Sequence, residues 1–302
     1  MTLLQLRYVI EVARSRSISK AAQNLFISQP SLSNALKELE KEVGITIFSR
    51  TNKGIAITQE GSEFLRYARQ VVEQAELLEN RYANKQLPKQ HFSVSAQHYS
   101  FAVSAFVRLL EDYDPEEYEF MLRETKTYEI IDDVQKLRSE IGILYVNEFN
   151  EKVIYKFLRE GNLLFHKLFE AKPHVFVSNR NPLVEQEYVT LEDLVPYPYL
   201  SFEQGDYNSF YFSEEILSTL TRPKNIKVSD RATLFNLLIG LNGYTISTGV
   251  ISHELNNDIV AIPLMLDERI NVGYITHKNV PIGQFANTYI QYLKETIAED
   301  QS

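Results

Sequence analysis

Three short amphipathic segments within the first 43 residues, a glycine-turned pair of alternating runs, and then nearly thirty residues of unbroken helical period leave few folds open to this chain. In the first segment Leu6, Val9, Ile10 and Ala13 recur at i, i+3, i+4 and i+7, the stripe of a helix that buries one face. Ser19 is placed to cap a short second helix carrying Ala21, Ala22 and Leu25. A third helix opens at Gln29, tolerates Pro30 in its first turn, and repeats Leu32, Leu36, Leu39 and Val43 inward until Gly44 stops it. Ile45, Ile47 and Phe48 lie on one side of Arg50-Thr51-Asn52-Lys53-Gly54, and Ile55 and Ile57 on the other. This pattern reads as a two-stranded hairpin with cationic side chains at its tip. Three helices followed by such a hairpin make a winged helix-turn-helix.

The third helix divides its labour as a DNA-reading helix must. With the leucines turned inward, Gln29, Ser31, Ser33, Asn34 and Lys37 fall mostly on other faces, where amides, hydroxyls and an ammonium can bond base edges in a major groove. Arg50 and Lys53 on the hairpin are placed to hold backbone phosphate. Charge supports this only when it is divided along the chain. The whole carries a formal net charge of -9. The first 58 residues hold eight cations against four glutamates, +4, so the remainder carries about -13.

From Thr58, a plausible N-cap, the helical pattern runs to about Leu87, and Pro88 closes it. Phe64, Ala68, Val71, Ala75, Leu78 and Tyr82 are spaced four, three, four, three, four, the a/d seam of a coiled coil. Such a seam fits either a second copy of the helix or the chain's own domains. Residues 1–58, 59–88 and 89–302 are thereby expected to form a DNA-binding domain, a linker helix and a larger C-terminal domain.

Beyond Pro88 strands and helices alternate. Strands are expected at Phe92–Ala96, Tyr118–Leu122, Ile141–Val146, His174–Val177, Tyr199–Phe202, Ile226–Val228 and Thr245–Ser247. Helices are expected at Ser100–Leu110, Thr127–Leu137, Leu191–Leu194 and Ala232–Leu241. This order argues for mostly parallel sheets with flanking helices, within an α+β multidomain chain. Two apolar runs, Leu163–Phe169 and Ile270–His277, fall where a chain would cross between two lobes and return. One lobe is then about residues 90–163 and 270–302, the other about 164–269.

Ligands of open α/β sheets sit at strand C-termini and helix N-termini. That rule selects Gln97, His98, Tyr99 and Ser100 after the first strand, and Thr125 and Thr127 after the second. It also selects Ser201, Phe202, Glu203 and Gln204, and Asp230 with Arg231. For Ser100, Thr127 and Ser229 helix capping accounts for the residue equally well. His98 fits a surface histidine, and Arg231 an ion pair with a neighbour. Helix N-termini favour an anionic metabolite.

The run Leu6 to Thr58 contains Ala21-Ala22, Leu25, Ser28-Gln29-Pro30-Ser31, Ser33, Leu39-Glu40, Gly44 and Phe48-Ser49-Arg50, and continues into Thr58-Gln59-Glu60-Gly61. In these residues the chain resembles the LysR-type transcriptional regulators, densely to about residue 88 and in segment order thereafter. The resemblance implies that the linker helix pairs with its copy, and that two dimers join through their C-terminal domains into a tetramer on a partly palindromic promoter or operator. It implies a C-terminal domain like the type II periplasmic binding proteins, a small-molecule effector between its lobes, and RNA polymerase as a further partner.

Other classes fit less well. A solute-binding protein would share the two lobes but would need export, and the N-terminus does not read as a signal peptide, since Arg7, Glu11, Arg14 and Arg16 interrupt it. A DNA-architectural protein without effector control would leave two hundred residues of α/β pattern unexplained. No stretch has the uncharged length to cross a bilayer, so a cytoplasmic protein without membrane contact is expected. There is no cysteine and hence no disulfide, thiolate metal site or thiol sensor. No Gly-x-Ser-x-Gly elbow, phosphate loop or His-Glu-x-x-His helix occurs, and the six histidines have no ligand spacing. Neither catalysis nor a cofactor or metal is expected. The pairs Asp132-Asp133 and Glu116-Glu117 read as solvated faces.

Overall fold

The computed structural model describes residues 1–51, 54–83, 90–113, 118–207, 209–251 and 256–300. The chain divides into two units, Met1–Pro88 and Lys89–Ser302.

In the first unit α1 (Leu3–Ser15) opens on a capping box between Thr2 and Gln5, and Arg16 closes it in the left-handed region. Helix α2 (Ile18–Asn24) is capped by Ser17, whose hydroxyl accepts the Lys20 N–H. Ser19, the expected cap, lies inside the helix, because the chain turns one dipeptide earlier. Helix α3 (Gln29–Val43) begins at Ser28, whose Oγ accepts the Ser31 N–H at 3.2 Å, and ends at Gly44 with φ 73°. Strands β1 (Phe48–Thr51) and β2 (Gly54–Ile57) pair antiparallel, Phe48 opposite Ile57. Ile45 and Ile47 precede the strand, and Ile47 is wholly buried at its root. The hairpin-tip residues Asn52 and Lys53 lie outside the described residues, as does the Arg50 side chain. Helix α4 (Gln59–Ala83) follows Thr58, whose Oγ1 accepts the Gly61 N–H at 2.9 Å. One core joins Leu6, Val9, Val12, Leu32, Leu36, Leu39 and Ile47 to Leu65, Ala68 and Val72 of α4.

The second unit holds two five-stranded sheets. Its elements run β3 (Gln90–Ala96), α5 (Ser100–Asp112), β4 (Tyr118–Glu124), α6 (Thr127–Gln135), β5 (Ile141–Val146), α7 (Glu151–Glu160) and β6 (Leu163–Ala171). They continue β7 (His174–Ser178), α8 (Leu191–Leu194), β8 (Tyr199–Phe202), β9 (Asn225–Val228), α9 (Arg231–Leu241), β10 (Tyr244–Ser247), β11 (Ile259–Pro263), β12 (Ile270–His277) and α10 (Gln284–Asp300). One sheet has the order β4-β3-β5-β12-β6, the other β11-β7-β10-β8-β9.

Neither sheet is mostly parallel. The pairs β3–β4, β3–β5, β8–β9 and β8–β10 are parallel, while β12 with β5 and β6, and β7 with β10 and β11, are antiparallel. The strands that carry the chain between lobes enter each sheet in the reverse direction, which the alternation of apolar residues does not encode. The boundary also moves. Strand β6 pairs with β12 from Leu163 opposite His277 to Ala171 opposite Ile270, so residues 163–171 belong to the first lobe. The crossing falls at Lys172-Pro173, where proline has no N–H to extend the ladder.

Asp133 is not on a solvated face. It is buried, accepting from Ser95 Oγ at 2.7 Å, Arg123 at 2.7 Å and Arg138 Nε at 2.7 Å, a set of donors that compensates its desolvation. Its neighbour Asp132 meets Lys136 and Arg138 at the surface. Glu116 and Glu117 lie outside the described residues.

Candidate DNA-reading surface and ligand cleft

Helix α3 buries Leu32, Leu36 and Leu39 and leaves Gln29, Ser31, Asn34 and Lys37 exposed, with Ser33 half-buried. Gln29, Ser33 and Lys37 follow each other at four-residue steps and thus stack along one side of the helix. Ser31 Oγ is also 2.7 Å from Ser28 Oγ, so this hydroxyl is partly engaged in the cap. Arg50 occupies a strand position opposite Ile55.

On α4 the structure separates the six seam residues. Ala68, 3% exposed, packs into the core of its own unit, and half-buried Phe64 packs against that core. Ala68 is therefore committed within its own chain. The stripe that α4 buries is Leu65, Ala68 and Val72, one step away from the seam read in the sequence. Val71 and Leu78, 50% and 60% exposed, lie about a quarter-turn round the helix from that stripe, and Ala75 is half-buried. The side chain of Tyr82 lies outside the described residues.

In the second unit the C-terminal ends of β3, β4 and β8 and the starts of α5, α6 and α9 bring the two lobes together. Side chains join across the divide. His98 Nδ1 lies 2.9 Å from Glu214 Oε2, both side chains almost wholly buried, and the imidazole stacks on Phe202 at 3.8 Å. Arg231 Nε lies 3.1 Å from Glu124, and Lys126 2.7 Å from Glu203. The Thr127 N–H donates to Gln204 at 3.2 Å, and Tyr145 donates to the Ser213 carbonyl at 3.1 Å.

Beside the His98–Glu214 pair and Arg231 lies a narrow cleft that opens to solvent. Of the expected residues, His98, Tyr99, Ser100, Phe202 and Arg231 line it. The others are used elsewhere. Gln97 is buried with both ends engaged: its oxygen accepts from Tyr145 N–H and the Tyr99 hydroxyl, and its amide donates to Thr127 at 2.6 Å. Thr125 donates to Glu129 at 2.6 Å, Ser201 is buried within β8, and Glu203 pairs with Lys126. Asp230 caps α9 by accepting the Thr233 N–H at 2.8 Å. The cap positions expected at Ser100, Thr127 and Ser229 are occupied by Tyr99, Lys126 and Asp230.

Sequence reasoning passed over Glu214, Glu215, Phe176, Phe235, Thr245 and Ser247, which line the cleft too, as do the apolar Leu234, Ile246 and Val250. Thr245 and Ser247 sit on a strand that was legible, and the strand-end rule reaches Ser247. Glu214 and Glu215 lie in the irregular stretch between β8 and β9, where no periodicity marks an inward position.

The cleft's charges are strongly coupled. Burial by itself lowers the affinity of His98 for its proton, but Glu214, with help from Glu124, more than offsets this and raises its pKa. Burial raises the Glu124 carboxyl despite Arg231 beside it. Glu215, fully enclosed and accepting the Phe202 N–H at 2.9 Å, is pushed up to about 8, chiefly by burial and then by the charge of Glu214. Helix α5 begins without a side-chain cap bond, a setting that suits an acidic group of a ligand. Among the described residues no group of histidines and carboxylates could hold a metal ion, and no helix is long and apolar enough to cross a membrane.

Residues 3–62 match the profile described as "Bacterial regulatory helix-turn-helix protein, lysR family", and residues 86–298 match "LysR substrate binding domain". The chain is 27% identical to the HTH-type transcriptional regulator AlsR of Bacillus subtilis (strain 168), over 80% of this chain and 77% of that protein. It is 27% identical to CysL of the same organism, over 73% and 71%. Similarity rises to 39% with the uncharacterized HTH-type transcriptional regulator YcgK of that organism, over 72 residues that span only 22% of its length. In fold the chain is similar to full-length CbnR complexed with its target DNA, with a TM-score of 0.54, 17% identity, and coverage of 98% of this chain and 100% of that one. The Corynebacterium glutamicum OxyR C206 mutant gives 0.51 and 17%, over 99% and 92%. The matched families and relatives are regulators of transcription, not enzymes. The chain belongs to the LysR family of DNA-binding transcriptional regulators, with an N-terminal helix-turn-helix and a C-terminal effector-binding domain.

Proposed function

We propose that this regulator reads its promoter through Gln29, Ser31, Ser33, Asn34 and Lys37 in a major groove while Arg50 and Lys53 hold phosphate. The exposed polar face of α3 supports the first contact kind, and the cations on the hairpin the second. Two chains pair through the α4 face that carries Val71 and Leu78, and two such dimers form a tetramer on a partly palindromic site. Bound there in the cytoplasm, the assembly acts on RNA polymerase.

A small anionic metabolite enters the cleft beside His98, Ser100 and Arg231. The observation that carries this reading is that both cations are already paired across the lobes, His98 with Glu214 and Arg231 with Glu124. An acidic ligand group competes with those carboxylates and so exchanges contacts that cross the cleft for contacts to itself. The ligand can shift the arrangement only by its differential affinity for the two states, on the scale of about 1 to 3 kcal/mol. Hydroxyls at Ser100, Thr245 and Ser247 and the walls of Phe176 and Phe235 select the rest of the molecule.

The test pairs a thermal-shift screen of organic acids, amino acids and sugar phosphates with footprinting. Ser100→Ala combined with Arg231→Ala retains promoter binding and loses the melting shift and the ligand-dependent footprint. Loss of DNA binding itself, or an intact ligand response, overturns this placement.

A further inference from the structure

Glu40 lies on α3 one step beyond Leu39, and its carboxylate turns toward the hairpin. Its Oε1 accepts two consecutive main-chain N–H groups, Ile47 at 2.6 Å and Phe48 at 3.0 Å. These are the residues at which the chain enters β1. The opposite side of the same short segment is held by the start of α4. The Thr58 N–H donates to the Ile47 carbonyl at 3.1 Å, and the Thr58 hydroxyl donates to the Thr46 carbonyl at 2.5 Å. Ile47 is fully buried, so neither of its peptide groups could turn to water instead.

We propose that Glu40 is a positioning residue for DNA binding: its two-fold acceptance fixes the root of the hairpin to the reading helix, so that base contacts and hairpin phosphate contacts engage DNA in one register. A carboxylate suits this role, because one ionised oxygen accepts two N–H groups in short, charge-assisted bonds. Aspartate, one methylene shorter, does not reach both. The inference rests on the reading that the hairpin contacts phosphate.

The experiment measures binding of the full chain to a duplex selected by the wild-type protein from a random library, across a salt series, with melting temperature as a folding control. Each phosphate contact contributes a slope of about one in log K against log salt. Arg50→Ala is expected to reduce the slope by about one, and Glu40→Ala by as much or more, while discrimination against a single base change opposite Gln29–Lys37 persists. Combining the two adds nothing to Glu40→Ala. Glu40→Gln, which keeps the acceptor, restores the slope in part or whole, and Glu40→Asp, which keeps the charge and folds most readily, does not.

A wild-type slope in Glu40→Asp, or full additivity of Glu40→Ala with Arg50→Ala, overturns the proposal. If Arg50→Ala leaves the slope unchanged, the assignment of Arg50 to phosphate fails. The Glu40 proposal then stands or falls on whether Glu40→Asp alone lowers the slope.

Discussion

Glu215→Gln isolates one buried carboxyl and gives the stability of the C-terminal unit a measurable pH signature. Glu215 ionises at about 8 in the folded protein against a usual 4.5. Between those values the folded state holds a proton that the unfolded chain has already lost, so folding becomes less favourable as pH rises. The maximal slope for one such proton is about 1.4 kcal/mol per pH unit, and integration from 4.5 gives a cost of about 3 kcal/mol at pH 7. Above the folded value no further stability is lost. Glutamine cannot ionise and keeps an oxygen for the Phe202 N–H, so the variant lacks this slope.

His98 responds in the same direction, because its raised folded pKa makes its contribution full at low pH and lost as pH climbs through that value. It is common to both proteins and cancels in the difference. Denaturant unfolding followed from pH 5 to 8 should therefore show the variant gaining on the wild type by on the order of 1 kcal/mol per pH unit, with the larger advantage at pH 8. Parallel profiles would refute the assignment of a proton to buried Glu215.

Further outcomes are expected at the reading helix, the hairpin, α4 and Gly61. Ser33→Arg abolishes specific promoter binding by overfilling a half-buried position on the reading helix, whereas Lys53→Ala weakens all duplexes alike and lowers the salt slope by about one, as a mobility-shift titration across salt will show. Val71→Glu with Leu78→Glu halves the mass seen by light scattering while the circular dichroism stays native; Ala68→Glu instead lowers the melting temperature of the N-terminal unit by placing a charge in its core. Gly61→Ala destabilises that unit by about 1 to 3 kcal/mol in thermal unfolding, because its methyl would stand 2.2 Å from the Ile47 carbonyl oxygen, an immovable main-chain atom.

Local pattern carried much of this protein. The leucines of α3, Ser28 before it and Gly44 after it make the helix and its ends readable, since burial, capping and left-handed closure are decided within a few neighbouring residues. The alternation in unit two located most strands within a residue or two, and the strand-end rule put His98, Tyr99, Ser100, Phe202 and Arg231 at the cleft. The rule could not separate them from Gln97, Thr125 and Thr127. All are polar residues at the ends of strands, and only their three-dimensional partners spend the latter on internal hydrogen bonds.

Sequence alone thus determined most of the elements and their order, though not α7, β11 or α10, together with the polar face of α3 and the family, because each rests on short-range periodicity or on a dense motif. Tertiary structure alone decided three things. It set the direction of β6 and β12 within their sheet, which depends on pairing between residues a hundred positions apart. It assigned Ala68 to its own core, because an apolar stripe specifies burial without naming what it is buried against. And it brought Glu214 and Glu215 from an aperiodic segment to His98 and Phe202, where the loss of water rather than the residue type makes one carboxyl an ion-pair partner and the other a proton holder.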